Sequence, residues 1–172
     1  MLKNISQFNN TSDYLPIITA ALIVDMVVIA RMVLGQINIK SLKEWYDRFG
    51  FLAVLADVLS LVIGIIISRF LYPFIFGQYS LIKFLILTLF IQVIHDVSFA
   101  VFFNMIPKNK SIILDVFKRY GKEVGFVILL ADGLMIVSTI LLGSYLSSIS
   151  TNINIIILIV SLYILPYLLY SI

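Results

Sequence analysis

Five apolar stretches dominate the chain, and each is long enough to cross a bilayer as a helix. A bilayer core of about 30 Å needs about 20 helical residues. Short polar segments separate the stretches, so the pattern predicts an all-α integral membrane protein that forms a single membrane domain over residues 1–172. The predicted transmembrane helices cover about 15–34, 51–72, 81–106, 124–146 and 153–170.

Two charged segments with amphipathic patterns precede the second and fourth spans. In residues 39–49, apolar positions recur on one helical face, and Ser41 with Glu44 matches a capping box. Residues 110–123 have a similar pattern and run into the fourth span without a clear breaker. Both are predicted to be helical extensions that lie on, or rise from, the membrane surface.

The remaining polar positions lie near the ends of the spans. Residues 1–13 are rich in Asn and Ser and are predicted to form a short tail. Residues 73–80 are predicted to form a tight turn after the second span. Arg31 and Arg69 lie close to span ends, so their side chains are predicted to extend from there into water.

The sequence also indicates an internal repeat. Gly50 and Asp57 match Gly125 and Asp132 with the same spacing, and the residues beside them match as well. We therefore predict two parallel two-span units related by an axis along the membrane normal. They cover about 14–72 and 80–147, with an extra helix at 153–170. Chance similarity in a chain rich in Ile, Leu and Val is the alternative explanation.

Lysine and arginine are concentrated in the two connections that hold the amphipathic segments. The positive-inside rule therefore places these connections and the C-terminus in the cytoplasm, and the N-terminus outside or in a lumen. The net charge of +3 does not indicate a nucleic-acid partner, because the basic residues lie beside apolar spans. Anionic lipid or a protein partner is predicted to contact Lys40, Lys43, Trp45, Arg48, Lys118, Arg119 and Lys122.

Composition narrows the possible functions. Hydrophobic residues make up 62% of the chain and charged residues 12%, with a mean hydropathy of +1.11. Five spans use up the length, which leaves no room for a soluble catalytic domain. The absence of cysteine excludes thiolate chemistry, and one histidine cannot form a multi-histidine metal site. We predict no enzyme activity, no cofactor and no metal. A membrane enzyme that acts on lipid is a third interpretation, and it requires an open polar cavity at the cytoplasmic interface.

Acidic residues inside the spans are the candidate functional groups. Asp25, Asp57, Asp96 and Asp132 lie roughly 9–15 Å from the cytoplasmic ends of their spans, at about 1.5 Å per helical residue. A charged aspartate near a helix centre costs about 2.5–3.5 kcal/mol, and holding it protonated at neutral pH costs about 4 kcal/mol. Either protonation state is therefore accessible.

Two interpretations of these acids remain open. In one, a proton or cation pathway is lined by Asp25, Asp57, Asp96, Asp132, His95 and Gln92. In the other, the acids are hydrogen-bonded to their neighbours and specify helix packing. A homo-oligomer is predicted in either case, because five helices enclose little space and a pore would form more easily between copies.

Four short segments carry a resemblance to a known group of proteins. They are VIHD at 93–96, IPK at 106–108, LDVFKRYG at 114–121 and LADGLM at 130–135. Together they resemble uncharacterised small multi-pass membrane proteins of giant DNA viruses. The resemblance implies a host membrane modified by a virus or the inner membrane of a virion. It makes a non-enzymatic structural or scaffold role the alternative to a channel or transporter-like function.

Overall fold

The computed structural model describes residues 2–171, which form seven α-helices and a short 3-10 turn at Thr11–Asp13. Five of the helices, α1, α3, α4, α6 and α7, are long and apolar enough to cross a membrane. The predicted all-α fold with five candidate spans is confirmed. The helices are α1 Tyr14–Val33, α2 Lys40–Phe49, α3 Phe51–Ile75, α4 Leu81–Met105, α5 Ile112–Val124, α6 Val127–Leu146 and α7 Thr151–Leu169.

Four of the long helices form a ring. Helix α1 contacts α3 and α6, α4 also contacts α3 and α6, and α3 touches α6 across the ring. Helix α7 packs on the outside against α1, while the short helices α2 and α5 contact each other and the adjoining long helices. Small residues permit the close approach of α1 and α6. A Cβ added at Gly143 would lie 3.5 Å from the Cα of Ile17.

Glycines make the junctions between the short helices and the spans that follow them. Gly50 joins α2 to α3 with φ 51° and ψ −123°, and Gly125 lies between α5 and α6 with φ 63° and ψ −140°. Glycine adopts positive φ at low cost. The predicted continuation from the amphipathic segment into the fourth span is therefore wrong, since α6 begins only at Val127. The matching junctions support the predicted repeat, which stays a prediction.

The second span extends further than its sequence indicates. Helix α3 continues through Pro73 to Ile75, so the turn predicted from residue 73 begins three residues later. Proline in the last helical turn removes only one hydrogen bond. The backbone N–H of Phe76 still donates to the carbonyl of Tyr72 at 2.9 Å. The Tyr72 hydroxyl then accepts from the N–H of Ser80 at 2.8 Å, which closes the turn.

Residues 2–13 pack across the end of the bundle where α3 and α6 finish, so the predicted tail is wrong. Ile5 is fully buried in the core. The backbone N–H of Lys3 donates to the carbonyl of Ser144 at 3.1 Å, and the Ser144 hydroxyl donates to the carbonyl of Lys3. We call residues 2–13 the N-terminal cap, because they cover this end of the ring.

Arg69 holds the N-terminal cap in place. Its guanidinium Nη2 donates to the carbonyls of Gln7 at 2.5 Å and Asn10 at 2.8 Å, and lies 3.7 Å from a carboxylate oxygen of Asp13. The Arg69 side chain is 0% exposed, so the prediction that it extends into water is wrong. Backbone carbonyls of the cap are the partners of Nη2, whereas Nε and Nη1 have no hydrogen-bond partner within residues 2–171. Arg31, by contrast, is exposed as expected.

A carboxylate from the second half of the chain caps α2. Glu123 accepts hydrogen bonds from the N–H of Lys40 at 2.9 Å and from the N–H and hydroxyl of Ser41 at 2.9 and 2.5 Å. The predicted capping box of Ser41 and Glu44 is therefore wrong. Glu44 instead accepts from Arg119 Nη2 at 2.5 Å and from Nε at 3.1 Å. These contacts join α2 to α5.

Substitution of Glu123 by glutamine is expected to loosen the start of α2. Hydrogen bonds from Ser41 and Lys40 lower the pKa of the Glu123 carboxyl. Its stabilising effect is therefore present above the ordinary carboxyl range and is lost as pH falls through the lowered value. We expect severalfold faster amide hydrogen exchange at Lys40 and Ser41 in Glu123→Gln at neutral pH, measured by mass spectrometry. Lys122→Gln is the control, and equal exchange in both variants would contradict the cap.

Candidate functional site in the aspartate layer

We call Asp25, Asp57, Asp96 and Asp132 the aspartate layer. In the first half of the chain, Tyr46 of α2 joins two of them. Its hydroxyl oxygen lies 2.7 Å from Oδ1 of Asp25 on α1 and 2.9 Å from Oδ2 of Asp57 on α3. Trp45 also donates its indole N–H to Oδ2 of Asp57 at 2.9 Å. Side chains from α2 therefore reach into the bundle and contact both acids.

The geometry around Tyr46 determines how many protons Tyr46, Asp25 and Asp57 must hold together. Burial and the two neighbouring carboxyls raise the pKa of Tyr46 well above its ordinary value, so its hydroxyl keeps its proton. That hydroxyl has one hydrogen and can donate only once. Both contacts are hydrogen bonds at the same time only if one carboxyl is protonated and donates to the phenol oxygen. This arrangement of three oxygens is suited to holding one shared proton between Asp25 and Asp57.

The corresponding acids in the second half have fewer partners. On α4, Oδ1 of Asp96 accepts from Gln92 Nε2 at 2.8 Å and lies 3.1 Å from His95 Nδ1. The other carboxylate oxygen of Asp96 and the amide oxygen of Gln92 are buried and have no hydrogen-bond partner within residues 2–171. The side chain of His95 is 29% exposed. This end of the layer therefore has unused acceptors beside a partly exposed imidazole.

Tyr120 of α5 lies within electrostatic range of the remaining acids. Burial raises the pKa of Tyr120, and the negative charges of Asp132, Asp57 and Asp96 raise it further. Asp132 on α6 is half-buried and lies near Asp96, Asp57 and His95, with no hydrogen bond in the described part of the chain. The fold thus brings the four acids together, with Asp57 close to both tyrosines.

The two tyrosines are the site residues that the sequence did not identify. Their signal in the sequence is a tyrosine in each short helix that precedes an acid in the first turns of the next span. Tyr46 precedes Asp57 in this way, and Tyr120 precedes Asp132. The turn at each glycine junction folds this phenol back towards the acid. A search for polar residues inside the spans overlooks both, because they belong to the short helices.

The residues predicted to contact lipid or a partner fall into two groups. Trp45 is only 5% exposed, packs against Phe117 with ring centroids 4.6 Å apart and donates to Asp57, so it faces the aspartate layer. Lys118 is half-buried and donates to the carbonyl of Ile106. The exposed members of the set are Lys40, Lys43, Arg48, Arg119 and Lys122.

Within residues 2–171, no group of three or more His, Cys, Asp or Glu residues is arranged to hold a metal ion. No family model, curated protein or solved structure matches the chain. The function is therefore inferred from the geometry of the aspartate layer alone.

Proposed function

We propose that this protein is a channel or transporter-like membrane protein in which protons or cations move through the aspartate layer. The observation that carries the proposal is a set of buried acceptors without donors beside the acids that Tyr46 joins. Within residues 2–171 these acceptors are Oδ2 of Asp25, Oδ2 of Asp96 and the amide oxygen of Gln92. A buried acceptor without a partner costs about 1–3 kcal/mol. A proton, cation or water would supply the missing donor or charge.

The arrangement supports a sequence of proton-binding groups. His95 is partly exposed and contacts Asp96, so it is suited to exchange protons with the surroundings. From Asp96, the next acids are Asp132 and Asp57, which share the surroundings of Tyr120. Asp57 is linked through Tyr46 to Asp25. Acids and histidines in such series are typical of proton relays within membranes.

Substitution of Asp132 by asparagine tests this proposal. We expect proton flux in liposomes, driven by a potassium gradient with valinomycin and followed with an enclosed pH-sensitive dye, to fall by at least about tenfold. Asparagine is similar in size but cannot carry the proton. Because Asp132 makes no hydrogen bond within residues 2–171, elution volume and melting temperature should not change. Ser138→Ala, at an exposed position on the same helix, is the matched control and should conduct like wild type.

Two results would count against a transport function. One is wild-type protein that carries no flux above empty vesicles with the gradient applied in either direction. The other is equal flux in wild type and Asp132→Asn. The elution and melting measurements distinguish a folded variant that has lost flux from a variant that has lost flux because it does not fold.

A non-enzymatic scaffold is the second candidate function, and the contacts of Trp45 and Tyr46 favour it. These side chains use Asp25 and Asp57 to fasten α2 against the bundle, which is a structural use of buried acids. Under this proposal Asp57→Asn lowers stability, and no variant has a transport phenotype. A scaffold fits the viral or virus-modified membrane that the resemblance implies.

The proposed orientation in the membrane follows from the basic connections. We place α2 and α5 in the cytoplasm and the N-terminal cap on the opposite side, because the short basic connections contain α2 and α5.

Large apolar side chains are exposed along α7, including Tyr163 at 68% and Tyr167 at 63%. They fit contact with lipid or with a second copy of the chain in a homo-oligomer.

A further inference from the structure

A cavity of about 520 Å³ lies between α2 and the start of α5. Three of its lining residues carry positive charge: Arg48 from α2, Lys110 just before α5, and Arg119 from α5. Ser111, the N-cap of α5, also lines it. Among the described lining residues Asp115 is the only acid. The cavity therefore combines three cations with the positive end of a helix dipole.

The acids near this cavity leave part of its positive charge uncompensated. Glu44 is shared between Arg119, at 2.5 Å, and Arg48, at 3.4 Å. Asp115 accepts a hydrogen bond from the backbone N–H of Asn109 at 3.0 Å. Within residues 2–171, no carboxylate forms an ion pair with Lys110. An anion entering the cavity would meet this free ammonium group.

The two short helices differ in the groups that lie beside their first turns. The start of α2 receives the carboxylate of Glu123, which accepts three hydrogen bonds there. The spacing that separates Gly50 from Gly125 also separates Arg48 from Glu123. Arg48 lines the cavity beside the start of α5, where the Ser111 side chain already accepts from the N–H of Leu114 at 3.4 Å. An external anion would therefore pair with the cations that line the cavity.

The position of the cavity indicates a lipid as the source of the anion. Arg48 precedes the start of α3 at Phe51 by three residues, and Lys110 follows the end of α4 at Met105. Both α3 and α4 are membrane spans by length and composition, so the cavity lies at the membrane surface. Ile112 lines the cavity and is 56% exposed. Apolar surface beside the cations suits acyl chains below a charged headgroup.

We infer that this cavity binds the phosphate group of an anionic membrane lipid. Arg48, Arg119 and Lys110 pair with the phosphate oxygens, and the acyl chains lie against the exposed apolar surface around Ile112. Bidentate pairing of arginine with phosphate provides the specificity. The inference does not depend on transport through the aspartate layer, because none of these side chains belongs to that layer.

Native mass spectrometry of the delipidated full chain in detergent tests this site. The probes are dioleoyl phosphatidic acid and dioleoyl phosphatidylcholine, which have the same acyl chains. We expect phosphatidic acid to bind the wild type preferentially, and the double variant Arg48→Ala, Lys110→Ala to weaken that binding by at least about tenfold. The control Lys43→Ala, Lys122→Ala removes the same charge from exposed positions outside the cavity and should remain within about twofold of wild type.

A second variant distinguishes lost charge from lost folding. Arg48→Lys with Lys110→Arg keeps both charges and should keep most of the phosphatidic acid binding. The inference is overturned if both alanine pairs weaken binding equally, since that indicates a diffuse surface charge. It is also overturned if neither pair changes binding, or if millimolar inorganic phosphate displaces the lipid, which would identify a site for free phosphate.

Discussion

Replacing Tyr46 with phenylalanine is expected to lower the free energy of unfolding by about 2–4 kcal/mol. The substitution removes a single hydroxyl, but that hydroxyl contacts Asp25 at 2.7 Å and Asp57 at 2.9 Å. Asp25 is 0% exposed, so water does not replace the lost partner. Buried polar groups left without partners cost about 1–3 kcal/mol each. The measurement is unfolding in mixed micelles by increasing mole fraction of SDS, followed by circular dichroism.

Tyr120→Phe is the matched control for this prediction. Tyr120 also belongs to a short helix and lies near the acids, but it makes no hydrogen bond in the described part of the chain. Its loss should therefore change the unfolding free energy by less than about 1 kcal/mol. Equal losses of unfolding free energy in the two variants would show that Tyr46 contributes by packing. A negligible loss in both would contradict hydrogen bonding of the Tyr46 hydroxyl to Asp25 and Asp57.

Substitution of Arg69 by methionine is expected to detach the N-terminal cap and to destabilise the protein by about 2–4 kcal/mol. Methionine fills part of the space but cannot donate to the carbonyls of Gln7 and Asn10. It also removes one of two cations beside the buried carboxylate of Asp13, which keeps Lys3 at 2.9 Å. Hydrogen exchange over residues 2–13 should approach that of an unprotected peptide, while exchange in the middle of α3 should change much less.

Arg31→Met provides the comparison for Arg69. Arg31 also lies near a span end, but it is exposed, and among the described residues its side chain donates only to Gln36, at 3.2 Å. We expect a change of less than about 1 kcal/mol. If residues 2–13 stay protected in Arg69→Met, then the Ser144 contacts and the burial of Ile5 hold the cap without the arginine.

Helix positions were accessible from the sequence because they depend on properties that the chain displays locally. Apolar runs of sufficient length mark the spans, and polar segments separate them. The break at Gly125 was not accessible in this way. A glycine within an apolar run is compatible with a continuous helix, and only its observed φ of 63° distinguishes the junction. Pro73 predicted the end of the second span too early, because a proline near a helix end does not always terminate the helix.

The sequence identified the acids of the candidate site but not the tyrosines beside them, for a related reason. Acids inside apolar spans stand out because burying a charge is costly. Tyr46 becomes a partner of Asp25 only after α2 folds back against the bundle. Glu123 reaches the start of α2 from the second half of the chain. The burial of Arg69 likewise depends on residues that looked like a free tail. Such contacts depend on tertiary structure and have no periodic signal.

Trp45 gives this protein an intrinsic optical probe. It is the only tryptophan in the chain, and its indole N–H donates directly to Asp57. A change in the charge of that carboxyl would alter the electric field at the indole and shift its emission. Because the sequence contains no cysteine, a single introduced thiol could carry an acceptor dye elsewhere. Energy transfer from Trp45 to that dye would then follow movement of α2 without further labelling.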